Sequence, residues 1–325
     1  MAFVHRMLEG SARARFLRRH TFSHQLFGKH EQQQHQNGGF IEWSSSNILR
    51  FVYKVPPCVC VAHDTMPLSA IVAMVDEVTT WASIGKDKSR RAGVSISLEA
   101  QLVEQDRPPV AGDELVFSAK VEKVGRTLGF QSCEVHEARS GRLVARGYHT
   151  KMLDMGWAWN LAFGPLLLPV TERVIQAVGV DRPPPEVDPS DPTILEHLLA
   201  PTRCEIDGAA GTAVATFTCL PDHLQETNLM FGGAQAMLHE VAARAAAEAT
   251  LQHQHRTFGS DTPTLYCSSM LVRYLAGSAL GDELEMYATA TPIFRGEGAA
   301  ASSRLAPAGR MPAVRSEAET QFIRV

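Results

Sequence analysis

The chain has 325 residues, of which 45% are hydrophobic and 20% charged, and its formal net charge at pH 7 is −4. This length accommodates two domains of ordinary size, and the composition is typical of a globular protein. No apolar run reaches the roughly 18 residues that a membrane-spanning helix requires, and the interspersed charges lack the basic stripe of a general nucleic-acid binder. The expected partners are therefore small molecules or other proteins.

The first 30 residues are basic and contain one acid, Glu9, beside five arginines: Arg6, Arg13, Arg15, Arg18 and Arg19. This composition is typical of an organelle-targeting segment and predicts a mitochondrial location. The alternative is a basic helix packed on the domain or on a partner, which would fit a cytoplasmic location. Residues 31–39 are polar and end in two glycines, so they predict a linker, and the folded part should begin near Phe40.

The first half of the chain predicts one helix followed by four strands. Residues 51–62 are apolar and β-branched, with a Pro56-Pro57 interruption that suits an edge strand. Helical spacing of apolar residues predicts a mostly buried helix over 69–84. Partial alternation and turn residues predict strands over 93–101, 114–124, 128–136 and 143–152. This order is that of an α+β unit.

The second half repeats the order after a proline-rich connection at residues 181–192. The pattern predicts a strand at 212–219 and an alanine-rich helix from about 232 to 251. Further strands are predicted at 265–274, 283–292, 299–305 and 315–323. The same four residues, Gly-Asp-Glu-Leu, occur at 112–115 and at 281–284. We interpret the chain as two tandem copies of one fold.

Six cysteines are spread over strand-like segments without the paired spacing of a metal site: Cys58, Cys60, Cys133, Cys204, Cys219 and Cys267. Cys58 and Cys60 would share one face of a strand, but a zinc site needs two further ligands, and none is evident nearby. We therefore expect buried, reduced thiols and no metal.

The segments 93–98, 111–115, 123–128 and 143–151 together resemble the hotdog thioesterases of the phenylacetate-pathway type. The resemblance runs from about Pro67 to Leu153 and recurs more faintly from about Gln225 to Val325. It implies an α+β fold of two tandem hotdog domains, each with a long central helix wrapped by an antiparallel sheet. It also implies hydrolysis of acyl-CoA thioesters, a step of lipid metabolism, at the interface between two hotdog units and without a cofactor. The expected domain bounds are 1–39 for the basic segment and linker, 40–155 for the first hotdog domain, 156–192 for the connection and 193–325 for the second domain.

The family's motif places His-Gly-Gly at the helix start and a carboxylate eight residues after the first glycine. Gly232, Gly233 and Glu240 match this spacing. Unpaired N–H groups at a helix start would stabilise a developing oxyanion, and glycine lets a thioester carbonyl approach the backbone. The first half lacks the glycines but has Glu77 at the carboxylate position and Ser95 eighteen residues later, where the family carries a hydroxyl that orients water.

The two halves therefore predict one asymmetric site, which combines Gly232 and Gly233 with Glu77 and Ser95. The carboxylate would act as a general base on water or attack the thioester directly. The opposite pairing, Glu240 with Thr264 against Ser69-Ala70, should be degenerate. Asp76 lies about 100° from Glu77 on the helix and is predicted to be a surface or capping group.

Several positions depart from the family's pattern or remain alternatives. Phe231 and Leu68 replace the motif histidine, and the motif asparagine maps onto Gln225, with Asn228 three residues later, so either amide is a candidate. Three cations are expected to bind the phosphates of CoA, with solvated strand-end charges as the alternative: Arg126, Lys151 and Arg295.

Two other functions compete with hydrolysis. A hotdog pair that has lost motif residues would serve as a structural subunit of a larger assembly, mitochondrial if the basic segment directs import, and either form would pair further into homo-oligomers or complexes. His63, fourteen residues before Glu77, resembles the His/Glu pair of hotdog dehydratases that act on hydroxyacyl thioesters, but the adjacent Pro-Gly is missing.

Overall fold

The computed structural model describes residues 41–43, 48–61, 64–87, 91–104, 107–154, 199–224, 229–258, 265–293, 298–309 and 313–324, together with Gly156 and Leu167. These residues form a twelve-stranded antiparallel sheet and two long helices that pack on it and on each other. The predicted targeting segment, linker, proline-rich connection and domain boundaries lie outside the described residues.

In the first half, the described residues form six strands and the first long helix. They are β1 (Ile41–Trp43), β2 (Ile48–Lys54), helix α1 (Leu68–Lys86), β3 (Val94–Leu102), β4 (Glu114–Val124), β5 (Leu128–Glu137) and β6 (Leu143–Met152). The predicted helix and the four strands after it are confirmed to within two residues at each end. The strand predicted over 51–62 is wrong at both ends, because β2 begins earlier and stops before the two prolines, which lead into a 3-10 turn at Pro57–Val59.

The second half contains the same kinds of elements in the same order. They are β7 (Arg203–Asp207), β8 (Thr212–Thr218), helix α2 (Gly232–Phe258), β9 (Leu265–Tyr274), β10 (Glu283–Pro292), β11 (Gly298–Pro307) and β12 (Ser316–Arg324). Helix α2 runs seven residues past its predicted end, into the stretch interpreted as a loop. Strand β7 was not predicted: its five residues, Arg-Cys-Glu-Ile-Asp, alternate polar and apolar side chains, but the segment is short, and all five residues are exposed in the structure.

The strand order joins the halves symmetrically. It reads β1-β2-β4-β5-β6-β3 and then β9-β12-β11-β10-β8-β7, so the second half repeats the first in reverse. The join is the antiparallel pair β3 and β9, in which Ser97 lies opposite Arg273 and Gln101 opposite Ser269. Because the innermost strands pair directly, α1 and α2 come into contact.

The two Gly-Asp-Glu-Leu segments form turns with the same hydrogen bonds. Gly112 and Gly281 have φ angles of +90° and +81°, a region that glycine adopts without strain. The following aspartates each accept a main-chain N–H three residues earlier, from Val110 and Ala279 respectively. Their role is to connect strands.

The core is continuous across both helices. Fourteen of the nineteen residues of α1 are buried, including Asp76, Thr79 and Ser83, so its polar side chains must find partners inside the protein. Small residues let the helices approach: a Cβ on Gly233 would lie only 2.5 Å from the Cβ of Ala73 on α1. Among the described residues, no helix is both long and apolar enough to cross a membrane.

Candidate functional site

A buried carboxylate on α1 reaches the start of α2. Asp76 is 4% exposed, and a Cβ on Gly232 would lie 2.7 Å from Asp76 Oδ2. The Ser95 hydroxyl on β3 donates to Asp76 Oδ1 at 3.2 Å. The carboxylate therefore lies between a hydroxyl of the first half and the first helical residue of the second half.

Two further polar side chains surround the same carboxylate. The Thr80 hydroxyl lies 3.4 Å from Asp76 Oδ1 and donates to the Asp76 main-chain carbonyl at 2.6 Å. Lys151 on β6 donates to the Thr80 hydroxyl at 2.7 Å, and its Nζ lies 3.9 Å from Asp76 Oδ1. Lys151 is itself buried, so its charge acts inside the protein.

Burial dominates the electrostatics of this cluster. It raises the pKa of Asp76 above its ordinary value, against the opposing effects of Lys151, Ser95 and Thr80. Burial also lowers the pKa of Lys151, while Asp76 and Glu77 act to raise it. The ammonium group of Lys151 thus favours an ionised carboxylate in a place where burial disfavours it.

A histidine from β6 completes the cluster. Because a Cβ on Gly147 would lie 2.8 Å from Val75 Cγ1, only a glycine lets β6 approach α1 this closely. His149, two residues later, is 1% exposed and places its Nε2 3.0 Å from Ser95 Oγ and its Nδ1 2.6 Å from Thr79 Oγ1.

A tyrosine from β9 holds the start of α2. The Tyr274 hydroxyl donates to the Gly232 carbonyl at 2.9 Å, and a Cβ on Gly232 would lie 3.3 Å from the tyrosine ring. Burial, and then the charge of Asp76, raise the pKa of Tyr274 well above its ordinary value, so its hydroxyl stays protonated.

The equivalent carboxylate on α2 is engaged differently. Glu240 Oε2 accepts the main-chain N–H of Ser69, at the start of α1, at 2.8 Å. The other Glu240 oxygen forms an ion pair with Arg244, one turn later. Arg244 also lies 5.5 Å over the Phe322 ring. Both oxygens of this carboxylate are therefore held by protein donors.

The pairing of Ser95 with Glu77 is corrected to a pairing with Asp76. The helices begin at Leu68 and Gly232, an offset of 164, so Asp76 is the equivalent of Glu240. An alignment of Glu77 with Glu240 needs an offset of 163, which the observed helix starts do not support. Glu77 is half-buried and lies about 100° further round the helix. The interpretation of Asp76 as a surface or capping group is wrong.

The remaining candidate residues divide into three groups. Gly232 lies beside Asp76, whereas the combined site was predicted with Glu77; the roles of Gly232 and Gly233 stay predictions. Lys151 cannot reach a solvent-borne phosphate, because its side chain is 4% exposed and turned inward, so its assignment to CoA binding is corrected. Arg126 is exposed, and its CoA-binding role stays a prediction. Outside the described residues lie Asn228, Gln225, Thr264, Arg295 and His63.

His149, Thr79 and Tyr274 were missed as site residues. The alternation of β6 carried a usable signal, since Gly147, His149 and Lys151 all fall on one face of the strand. The expectation of buried thiols is confirmed for five cysteines and is wrong for Cys204, which is exposed on β7.

Comparison with known proteins gives a partial match in sequence and a broad match in structure. No family model matches the chain. Over 80 residues the chain is 32% identical to acyl-coenzyme A thioesterase 13 of Mus musculus, which covers 25% of this chain and 54% of that protein. The chain thus spans about half the length of the curated relatives it matches.

Two solved structures align with most of the chain. The 12:0-ACP thioesterase from Umbellularia californica has a TM-score of 0.55 at 12% identity, covering 86% of this chain and 95% of that one. The tesB protein of Mycobacterium avium subsp. paratuberculosis also has a TM-score of 0.55 at 12% identity, covering 85% and 93%. The chain has the hotdog fold. The resemblance of its sequence to hotdog thioesterases is confirmed.

Within this hotdog fold, the Asp76 cluster lies where the start of α2 meets the middle of α1. There the Asp76 carboxylate and the Ser95 hydroxyl lie beside the first helical residue of α2.

Proposed function

We propose that the protein hydrolyses acyl-CoA thioesters at one asymmetric site between two tandem hotdog units, with Asp76 as the general base. The observation that carries the proposal is the buried Asp76 carboxylate, held between the Ser95 hydroxyl and the glycine start of α2. The partial match to an acyl-coenzyme A thioesterase supports the substrate class.

The glycine start of α2 would bind the thioester carbonyl. Gly232 and Gly233 have no side chains, and the main-chain N–H groups of a helix's first turn have no partner within the helix. These donors and the positive end of the helix dipole would stabilise the oxyanion that forms on the carbonyl. Removing one such donor typically costs a factor of about 10²–10³ in rate.

Asp76 would accept the proton of the attacking water. The water oxygen bonds to the thioester carbon, its proton passes to Asp76, and the tetrahedral intermediate then expels the CoA sulfur, which takes the proton from Asp76. A carboxyl whose pKa is raised by burial is a stronger base than an exposed aspartate, and Lys151, with its Nζ 3.9 Å away, opposes that rise and so favours the ionised form. These features favour a general base over a nucleophile, because Oδ1 already has Ser95 and Lys151 around it.

The second carboxylate would take no part in hydrolysis. Glu240 already accepts the N–H that would otherwise bind a carbonyl at the start of α1, and Arg244 neutralises its charge. The site is therefore proposed to be single, although the backbone arrangement occurs twice. A mitochondrial location remains a proposal that rests on the basic first 30 residues.

The test is a thiol-release assay on short, medium and long acyl-CoAs. We expect Asp76→Asn to lose at least about 100-fold in kcat, because a general base contributes about 10²–10⁴. Glu77→Gln is the matched control, since it removes a neighbouring charge of the same helix and should keep kcat within about threefold.

Two outcomes would overturn the proposal. A wild-type protein that releases no thiol from any chain length would favour the structural-subunit alternative. Full activity in Asp76→Asn, or the loss of activity in Glu77→Gln instead, would refute the assignment of the base.

A further inference from the structure

Strand β7 is the last strand of the sheet and has a neighbour on one side only. It pairs with β8, and no described strand pairs with its other edge. All five of its residues are exposed. A strand at the edge of a sheet presents main-chain N–H and C=O groups that can pair with another chain.

Two side chains of β7 lie on the core face of the sheet and are still exposed. Cys204 lies opposite Ala215, and Ile206 lies opposite Ala213. Residues directly opposite each other share one face of the sheet, and both alanines are almost completely buried. Ile206 is nevertheless 52% exposed, and Cys204 is the exposed one among the six cysteines, all of which are described. The core face of the sheet therefore extends past the part that the rest of the chain covers.

The charged side chains of β7 are arranged so that the strand can complement a second copy of itself. Arg203 and Glu205 lie on the other face and form an exposed ion pair. If two copies pair antiparallel with Cys204 opposite Cys204, each arginine lies opposite the glutamate of the other copy. The same register places Ile206 opposite the exposed Thr202. Opposite charges directly across an antiparallel pair are stabilising.

Neighbouring registers are less favourable. Pairing centred on Glu205 or on Arg203 would bring two like charges directly opposite each other, which is destabilising. Pairing centred on Glu205 would also place Arg203 opposite Asp207. The Asp207 carboxylate already accepts the main-chain N–H groups of Ala209 and Ala210, both at 3.0 Å. The charges of β7 therefore favour the register with Cys204 at the centre.

We propose that β7 is an interface at which two copies of this chain pair edge to edge, antiparallel, with Cys204 at the twofold axis. Such a pair is closed after two copies, because each β7 edge is then occupied. The interface is small, with about five residues from each copy, so the dimer is weak and depends on concentration. Below about 1 μM the chain should be monomeric.

This pairing is independent of the proposed function. A Cβ on Gly208, which follows β7, would lie 2.8 Å from the carbonyl oxygen of Ala249. Ala249 is about 25 Å along α2 from Gly232, at a rise of about 1.5 Å per residue. The dimer contact is therefore far from the Asp76 cluster, and thiol release per chain should be the same in the monomer and the dimer.

The experiment measures the mass of the full-length protein by sedimentation velocity between about 1 and 200 μM, the range in which a small interface associates. Wild type should change from monomer toward dimer. Arg203→Glu and Glu205→Arg should each raise the dissociation constant of the dimer at least about tenfold, because each places like charges opposite each other twice. An equimolar mixture of these two variants should dimerise like wild type, since every glutamate then faces an arginine.

A matched control reverses a charge elsewhere. Arg146 and Glu134 also form an exposed ion pair between neighbouring strands, β6 and β5. Arg146→Glu should leave the dissociation constant within about twofold, because surface substitutions away from an interface have small effects.

A second readout tests the register. Diamide should oxidise two Cys204 thiols to one disulfide, and the diamide is reduced. Residues directly opposite in an antiparallel pair have Cα atoms about 4.5–5.5 Å apart, which suits a disulfide. Cys204→Ser should abolish the cross-link and keep the dissociation constant within about twofold. Arg203→Glu should slow the cross-linking, and the mixture with Glu205→Arg should restore its rate.

The possible results separate this proposal from the proposed function. A wild type that stays monomeric throughout, or a dimer that neither charge reversal weakens, would overturn the interface. A charge-sensitive dimer that diamide does not cross-link would overturn the register. Absent thiol release would contradict the proposed function and leave the pairing of β7 standing.

Discussion

The two helix starts have the same backbone arrangement, but the carboxylate beside each one has different side-chain partners. At the start of α1, Glu240 accepts the N–H of Ser69 and pairs with Arg244. At the start of α2, Asp76 contacts Ser95 and Lys151 beside a glycine. One carboxylate is saturated by protein donors, and the other is held in a polar cluster.

The residue one turn after each carboxylate explains much of this difference. Glu240 has an arginine at that position, whereas Asp76 has Thr80, a neutral hydroxyl. The longer glutamate side chain also reaches across to the opposite helix start. A carboxylate near a helix start is by default a stabilising cap, so chemical use of it requires removing its partners.

The largest expected effect comes from Gly232→Ala. The new Cβ would lie 2.7 Å from Asp76 Oδ2 and would displace the carboxylate or occupy the space of the thioester. We expect kcat to fall by about 100-fold, since a displacement of about 1 Å can cost that much. Ser69→Ala, at the other helix start, keeps the N–H that Glu240 accepts and should leave thiol release unchanged. Equal losses of kcat in Gly232→Ala and Ser69→Ala would contradict the proposal that only the start of α2 takes part in hydrolysis.

Removing the Glu240 carboxylate, which is bound by Ser69 and Arg244, should affect stability more than activity. Glu240→Gln leaves Arg244, which is 21% exposed, without its ionic partner, so we expect unfolding free energy to fall by about 2 kcal/mol in urea titrations. The exposed pair of Arg203 and Glu205 is the control, and Glu205→Gln should change stability by less than about 0.5 kcal/mol. A Glu240→Gln variant with abolished turnover would place chemistry at both helix starts.

The ion pair of Lys151 with Asp76, at the start of α2, should be visible in the pH dependence of turnover. Lys151 lowers the pKa of Asp76, so Lys151→Met should raise that pKa further. Because the ionised carboxylate is the active form, the acid limb of the kcat profile should move to higher pH, with recovery at alkaline pH. Lys120→Met, which removes an exposed lysine of β4, should leave the profile in place. An unchanged acid limb in Lys151→Met would show that Lys151 does not lower the pKa of the group that limits turnover.

The smallest expected effect comes from removing a hydroxyl group from either of two tyrosines on β9. Tyr274 donates to the Gly232 carbonyl at the start of α2, and Tyr266 donates to the Met66 carbonyl before α1. Tyr274→Phe should lower kcat about threefold, as expected for one neutral hydrogen bond, while Tyr266→Phe should lower the melting temperature without changing kcat. The reverse pattern, measured in the same assays, would exchange the roles of the two helix starts.

Much of the fold could be predicted from the sequence, because the core-facing elements leave a periodic pattern. Helix α1 and the four strands after it were located by that pattern, whereas β7 is only five residues long and faces no core. The glycine start of α2 and Ser95 were proposed as site residues by matching the motif of the resembled family, and their roles stay predictions.

The rest of the site depended on facts that no local pattern contains. Two adjacent acids look alike in sequence, and only the true start of α1 shows that Asp76 is the one that faces α2. Lys151 was expected to bind the phosphates of CoA or to be a solvated charge at a strand end, whereas it is buried near a partner 75 residues earlier in the chain, Asp76.

The pairing of β3 with β9 within one polypeptide has a consequence for how the two helix starts could diverge. In an assembly of two identical chains, every substitution appears twice and alters both faces at once. Here a substitution appears once, so an arginine can stand after one carboxylate and a threonine after the other. The same covalent link makes the encounter of the halves independent of protein concentration, so turnover per molecule should not decline on dilution.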